Sequence, residues 1–325
     1  MKAIIVKQPG GADQLQVSEQ PKPVPAENEL LIKVEATAIN RTDIINRESS
    51  SGYLDHPILG VEVAGVVEKT VPGSGIEKGA RMMGLVNGGG YAEYVVMPVD
   101  RAMPIPDNLS FAEAAAIPEV FLTAYQTLFW LGNLQKNETV LIHAGGSGVG
   151  TAAIQLATQL KKAHTIITAG SKKKLDFGKE LGAEQGINYK KQDFAEEVLK
   201  ITHNRGVDLI LDFIGASYWE KNLASIKVDG RWVLIGVLGG SLIDSVNLRD
   251  LMMKRIQLTG TLLTPRSDDY KAKLTKEFIS NTYELFKNEQ LKPIIDHIFP
   301  FEQIQQSHEH MEQNKNIGKI IVDMP

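Results

Sequence analysis

The sequence predicts an α/β fold: a doubly wound parallel sheet inserted into a β-rich unit. Three observations predict it. Residues 137–174 run apolar strand, glycine turn, amphipathic helix, apolar strand. Beyond Lys174, short β-branched runs keep alternating with helical periods. Residues 1–100, in contrast, are short strands punctuated by Gly and Pro, with little helix.

The glycine stretch is the most informative. Thr139 to Ala144 has the length of a buried strand, and Gly145, Gly146, Gly148 and Gly150 follow it. Apolar residues then recur at Val149, Ala153, Leu156 and Leu160, one face of a helix. Strand, glycine turn, helix and strand make the first half of a Rossmann unit, which binds dinucleotides. Gly145, Ser147, Gly148 and Val149 are the candidate pyrophosphate contacts. Glycines let a phosphate approach the backbone, and the helix start offers free N–H groups and positive potential. The order Gly-Gly-Ser-Gly-Val-Gly is not the usual G-x-G-x-x-G, so a ligand-free glycine turn is the competing reading.

NAD-binding units usually place an acid at the end of the second strand. Gly170 stands there, followed by Ser171, Lys172, Lys173 and Lys174. A hydroxyl and lysines attract the 2′-phosphate that an acid repels, so NADPH is the expected cofactor, with Gly170, Ser171 and Lys174 as contacts. At least one of the three lysines reads as an ordinary solvated residue of a helix start.

The chain of 325 residues is long for one core, so two domains are expected. A net charge of −4 argues against a general nucleic-acid surface. No apolar run is long enough for a bilayer, and the alternating start Met1 to Lys7 lacks a signal peptide's apolar core. A cytoplasmic protein without a membrane partner is the expectation. The absence of cysteine excludes disulfides, thiolate catalysis and cysteine-based zinc sites. Of seven histidines, His308 and His310 are two apart, on different helix faces, and the rest are scattered. No metal site is expected.

In chain order, Glu29 to Ala36 alternates as a strand, and Asn40-Arg41-Thr42-Asp43 is a polar cluster after it. Ser49 to Tyr53 reads as a loop carrying one aromatic. Ile58 to Val67 mixes glycines with β-branched residues, as a bulged strand of a small barrel does. Strands near Arg81 to Val86 and Tyr91 to Val96 follow. Ser110 with Glu113 caps a helix, and Val120 to Leu131 is a second. After the glycine unit, strands are predicted up to Asn188-Tyr189, over Val207 to Phe213, Arg231 to Val237 and Arg255 to Leu263. Helices are predicted over Leu175 to Leu181, Phe194 to Thr202, Tyr218 to Ile226 and Asp269 to Lys287. Ligands bind beyond the carboxyl ends of such strands. That puts Tyr189, Phe213, Ile214, Gly215, Val237, Leu238, Leu262 and Leu263 among the candidates. A last strand, Gly318 to Val322, is placed to return to the β-rich unit.

The layout resembles the medium-chain dehydrogenase/reductase superfamily, with a GroES-like catalytic domain at 1–118 and 266–325 and an NADP(H)-binding Rossmann domain at 119–265. Within it the chain is similar to the zinc-free quinone oxidoreductase branch, nearest the p53-inducible quinone oxidoreductases. Ala115 to Glu119, Leu141 to Gly145, Ser147 to Leu156, Ser217 to Asn222, Asp229 to Leu234 and Asn314 to Ile320 carry that likeness. The resemblance implies NADPH-dependent reduction of a small-molecule quinone, an ortho-quinone in particular, by a homodimer paired through its Rossmann domains. It implies Thr123 close to the nicotinamide and Asn316 at the cofactor. It also puts Asn40 and Val61 where zinc-dependent members carry Cys and His ligands. The segment from Arg47 to Pro57 departs from the branch in sequence and length while keeping Tyr53.

Asn40 and Tyr53 are the candidate catalytic residues. Asn40 either hydrogen-bonds near substrate and nicotinamide or caps the following turn. Tyr53 is an aromatic wall or a proton donor. Three functions stay open: a quinone reductase, whose strongly accepting substrate needs no Lewis acid; a reductase of the C=C bond of enones or 2-alkenals; and a non-enzymatic NADPH-binding protein of zeta-crystallin type.

Overall fold

The computed structural model describes residues 1–49 and 57–325. Tyr53 lies outside the described residues. Contacts divide the chain into two compact units, Met1–Leu122 with Leu263–Pro325, and Thr123–Leu262. The sequence reading put the seams at 118/119 and 265/266.

The second unit is a six-stranded sheet. In chain order its strands are β1 (Thr139–Ile142), β2 (His164–Ala169), β3 (Gln185–Asn188), β4 (Val207–Asp212), β5 (Ile226–Leu234) and β6 (Gln257–Gly260). Every pairing is parallel and the spatial order is 3-2-1-4-5-6, the Rossmann order. Leu141, Ile166, Ile210 and Trp232 from four adjacent strands share one core with Phe194, Val198 and Trp219 from the helices. All six strands end on the same side, so the segments after them converge there.

In the first unit, Glu29–Ala38 is the long central strand. It pairs antiparallel with Glu62–Lys69, Tyr94–Pro98 and the C-terminal strand Lys319–Asp323. The chain end therefore does return to the N-terminal sheet. Register shifts interrupt the Glu29–Ala38 and Glu62–Lys69 pairing. Gly65 sits there, where a Cβ would lie 2.0 Å from the Lys33 carbonyl oxygen. Only glycine permits that approach.

Two helices differ from the sequence reading. Arg41–Glu48 is helical where only a polar cluster was read, because Asp43 accepts from the Asn40 backbone N–H at 2.8 Å and caps the turn. Leu248–Lys254 is a short helix in a stretch to which the sequence pattern assigned no element. The strand after it is shorter than read, Gln257–Gly260. The helix after Pro118 holds α geometry to Tyr125 and widens to a π turn over Gln126–Leu131.

Candidate functional site

The cofactor edge of the second unit is built from the strand ends. Gly145 follows β1, and a Cβ on it would fall 2.8 Å from the Ile167 side chain on β2. Gly150, in the helix Gly148–Lys161, passes so close that a Cβ would lie 2.4 Å from the Ala144 carbonyl oxygen. These glycines bring the helix start against the strand exit. Ser147 is its N-cap and accepts from the Gly150 N–H at 3.0 Å. The hydroxyl of Ser147 is thereby committed to the cap, while Gly148 and Val149 open the helix.

At the end of β2, Gly170 lies under Tyr189; a Cβ there would meet the tyrosine hydroxyl at 2.8 Å. Ser171 caps the helix Lys172–Glu180 and accepts from the Lys174 N–H at 3.3 Å. The aliphatic stem of Lys174 runs past Gly146, within 3.0 Å of where a Cβ would be. Lys174 thus bridges the glycine turn and the β2 end, the two places a dinucleotide's phosphates need. Lys172 instead pairs with Asp176 at the exposed surface.

Beyond β4, Phe213, Ile214 and Gly215 form a tight exit, with Gly215 at φ +80°. The segment after β5 is laced onto it: Leu238 N–H donates to the Phe213 carbonyl at 3.1 Å and Gly239 N–H to that of Ile214 at 2.7 Å. Val237, Leu238 and Leu262 are exposed and Leu263 is buried.

Beneath this edge is a buried polar chain that sequence periodicity does not reveal. His143, just after β1, has Nδ1 2.9 Å from the Thr168 hydroxyl and Nε2 2.7 Å from Asn222 Oδ1. Asn222 Nδ2 donates to Asp212 Oδ2 at 3.0 Å, and Trp232 Nε1 donates to the same oxygen at 3.1 Å. Asp212 Oδ1 accepts from the N–H groups of Ile214 and Gly215. Burial lowers the His143 pKa, against the pull of Asp212. The neutral ring donates from Nε2 and accepts the Thr168 proton at Nδ1. One network therefore clamps the exits of β1, β2 and β4.

In the first unit, Asn40 is 7% exposed and both its polar atoms are engaged. Its Nδ2 donates to Glu62 Oε1 at 2.8 Å, and its Oδ1 accepts from Lys319 Nζ at 2.7 Å. Lys319 also pairs with Glu62 at 2.8 Å and donates to the Ile39 carbonyl at 2.9 Å. Glu62 and Lys319 are both buried. Asn40 is thus a strut between a buried acid and a buried base, as well as the N-cap of the helix Arg41–Glu48.

Asp43 is fully buried. It accepts from the N–H groups of Asn40 and Gly60 and from the Tyr91 hydroxyl. Burial pushes its carboxyl up to about 7, while Asn40, Tyr91 and Lys319 pull the other way. Behind it, Arg47 Nη1 donates to His308 Nδ1 at 3.2 Å, and His308 Nε2 lies 3.2 Å from the Tyr91 oxygen. Arginine can only donate, which leaves the proton of His308 on Nε2, facing Tyr91. Burial, and next the charge of Arg47, hold His308 neutral, down to about 3.

Thr123 is buried on the helix Pro118–Tyr125. Asn316 lies in the turn before the last strand, where its Nδ2 donates to the Gly318 carbonyl at 2.8 Å.

Residues 26–107 match the alcohol dehydrogenase GroES-like domain, and residues 148–280 match the family described as zinc-binding dehydrogenase. The chain is 30% identical to the synaptic vesicle membrane protein VAT-1 homolog-like of Mus musculus, over 100% of this chain and 81% of that protein. It is similar to the Escherichia coli quinone oxidoreductase solved in complex with NADPH, at 28% identity and a TM-score of 0.90, covering 99% of this chain and 100% of that one. It is also similar to the CurK enoyl reductase, at 28% identity and a TM-score of 0.87, covering 100% and 99%. The chain belongs to the medium-chain dehydrogenase/reductase superfamily, in its quinone oxidoreductase branch.

A zinc does not fit these residues. Among the described residues no group of three or more His, Asp or Glu is placed to hold a metal. The ammonium of Lys319 already occupies the polar space between Glu62 and Asn40, and it would repel a dication. Among the described residues no helix is long and apolar enough to cross a membrane.

Proposed function

We propose that this protein is an NADPH-dependent quinone reductase working without zinc, with an ortho-quinone as the preferred substrate class. The end of β2 carries the reading: Gly170 replaces the acid of NAD-binding units, and Lys174 spans from there to the glycine turn. Bound NADPH supplies a hydride from its nicotinamide. In this proposal the helix start at Gly148 and Val149, with Gly145 and Ser147, receives the pyrophosphate. Ser171 and Lys174 receive the 2′-phosphate beside Tyr189. The exits at Phe213, Ile214 and Gly215, at Val237 and Leu238, and at Leu262 and Leu263 line the nucleoside, with Thr123 and Asn316 toward the nicotinamide. Asn40 holds Glu62 and Lys319 in place near the substrate, and Tyr53 serves as its aromatic wall. The name of the Escherichia coli relative supports the quinone.

A cytoplasmic homodimer paired through the Rossmann units belongs to the same proposal. Its support is the edge strand β6, bonded on one side only among the described residues, and Leu242, Leu248 and Met252 in the segment that precedes it, 88%, 67% and 75% exposed.

The second reading, reduction of an enone C=C bond, draws on the likeness to an enoyl reductase. Product analysis separates the two: a hydroquinone supports the first, a saturated ketone of fixed stereochemistry the second. A protein that binds NADPH yet reduces neither substrate fits the non-enzymatic reading.

A further inference from the structure

Three carboxyl groups gather in the first unit around one fully engaged ammonium. They are Asp43, Glu62 and Glu119, and the ammonium is Lys319. Asp43 accepts from Asn40 N–H, Gly60 N–H and the Tyr91 hydroxyl. Glu62 accepts from Asn40 Nδ2, from Lys319 and, at 2.7 Å, from the backbone N–H of Glu119. Among the described residues no hydrogen-bond donor reaches the Glu119 carboxyl. An excess of buried negative charge is relieved by keeping a proton, and the carboxyl lacking donors is the one that keeps it.

Glu119 is also the accessible member. Asp43 and Glu62 are 0% exposed, whereas Glu119 is partly exposed. It lies one helical turn before Thr123 on the helix Pro118–Tyr125, so the two share a helix face. Burial, then the charge of Glu62 and that of Asp43, raise the Glu119 carboxyl to about 8, against Lys319 and Lys271. Lys271, on the helix Asp268–Lys287, is itself lowered by burial and by Arg101.

We propose that Glu119 is the proton donor to the reduced substrate, with the neighbouring carboxylates Glu62 and Asp43 keeping it protonated between turnovers. The inference rests on the quinone reading. A quinone becomes a hydroquinone by gaining a hydride, taken from NADPH, and one proton. The O–H bond of Glu119 breaks as the O–H bond of the hydroquinone forms. The resulting carboxylate takes a proton back from water, so NADPH, quinone and one proton give NADP⁺ and hydroquinone.

The test combines Glu119→Gln and Glu119→Asp with two readouts. For Glu119→Gln, kcat is expected to fall about a hundredfold, the lower range for general acid catalysis, with NADPH affinity unchanged. Wild-type kcat should decline above about pH 8, and that decline should vanish in Glu119→Gln. Glu119→Asp, which keeps an acid, should recover part of the rate. Independently, the cofactor-free wild type at neutral pH should show an infrared carboxylic-acid C=O band that Glu119→Gln loses, leaving only the contribution of Asp43. A Glu119→Gln enzyme with wild-type kcat and an unchanged pH profile overturns the proposal, and so does a wild type lacking that band. Failure of the wild type on every quinone, with the band intact, sinks the quinone reading instead.

Discussion

His143 Nε2 lies 2.7 Å from Asn222 Oδ1, and the two side chains are buried beneath the strand ends that form the cofactor edge. Asn222 answers His143 with its oxygen and Asp212 with its nitrogen. It is the link through which β1, β2 and β4 end in register. Asn222→Ala strands the buried His143 N–H and leaves Asp212 Oδ2 with Trp232 as its one side-chain donor. A buried unsatisfied group costs about 1–3 kcal/mol, so a loss of about 2 kcal/mol is expected in urea denaturation followed by Trp232 fluorescence. NADPH binding should weaken with it, because the exits at Gly145 and Gly215 lose their fixed spacing. Unchanged stability would remove the clamp.

Lys174 should discriminate between nicotinamide cofactors. A hydrogen bond to a charged group contributes roughly 1.5–3 kcal/mol, about ten- to a hundredfold in affinity. Lys174→Ala is expected to weaken NADPH by that factor and leave NADH nearly unchanged, read by fluorescence titration. Equal losses would move the 2′-phosphate elsewhere.

The buried acids make stability depend on pH. Asp43 is raised to about 7 and Glu119 to about 8 in the folded protein, above the ordinary carboxyl range of the unfolded chain. The folded state therefore holds more protons between about pH 4 and these values. Their contribution is fully present below pH 4 and is lost as pH rises through 7 and 8. Glu119→Gln removes one of these groups, so its melting temperature should exceed that of the wild type above pH 8 and converge with it toward acid. Parallel melting curves across this range would contradict the assignment.

Much of this arrangement was legible in the sequence, and the rest has a common reason for being hidden. The glycine turn, the six strand positions and the returning C-terminal strand all follow from local periods and turn residues. The buried polar pairs do not, because their partners lie far apart in the chain. Lys319 and Asn40 are 279 residues apart, and no period connects them. One signal existed. Lys319 opens the run Lys-Ile-Ile-Val, apolar on both faces, and a lysine beginning such a strand needs a buried acid. Glu119 stood inside the stretch Ala-Ala-Ile-Pro-Glu that carried the resemblance, but its chemistry appears only beside Glu62. The helix Arg41–Glu48 was hidden because its cap bond joins two residues that read equally well as a loop.

The dimer is tested at β6 and its flank. Wild-type protein should sediment at twice 35.7 kDa. Leu242→Asp with Met252→Asp should yield a folded monomer, since charges there block apolar contact. A wild-type monomer at micromolar concentration would contradict the pairing.

The most direct measurement is the steady-state oxidation of NADPH by metal-stripped wild-type protein, with an ortho-quinone, a para-quinone and a small enone offered separately. Rapid turnover is expected with quinones, ortho faster than para, with no stimulation by added zinc and little turnover of the enone. Preference for the enone, or dependence of the rate on zinc, would contradict the proposed function.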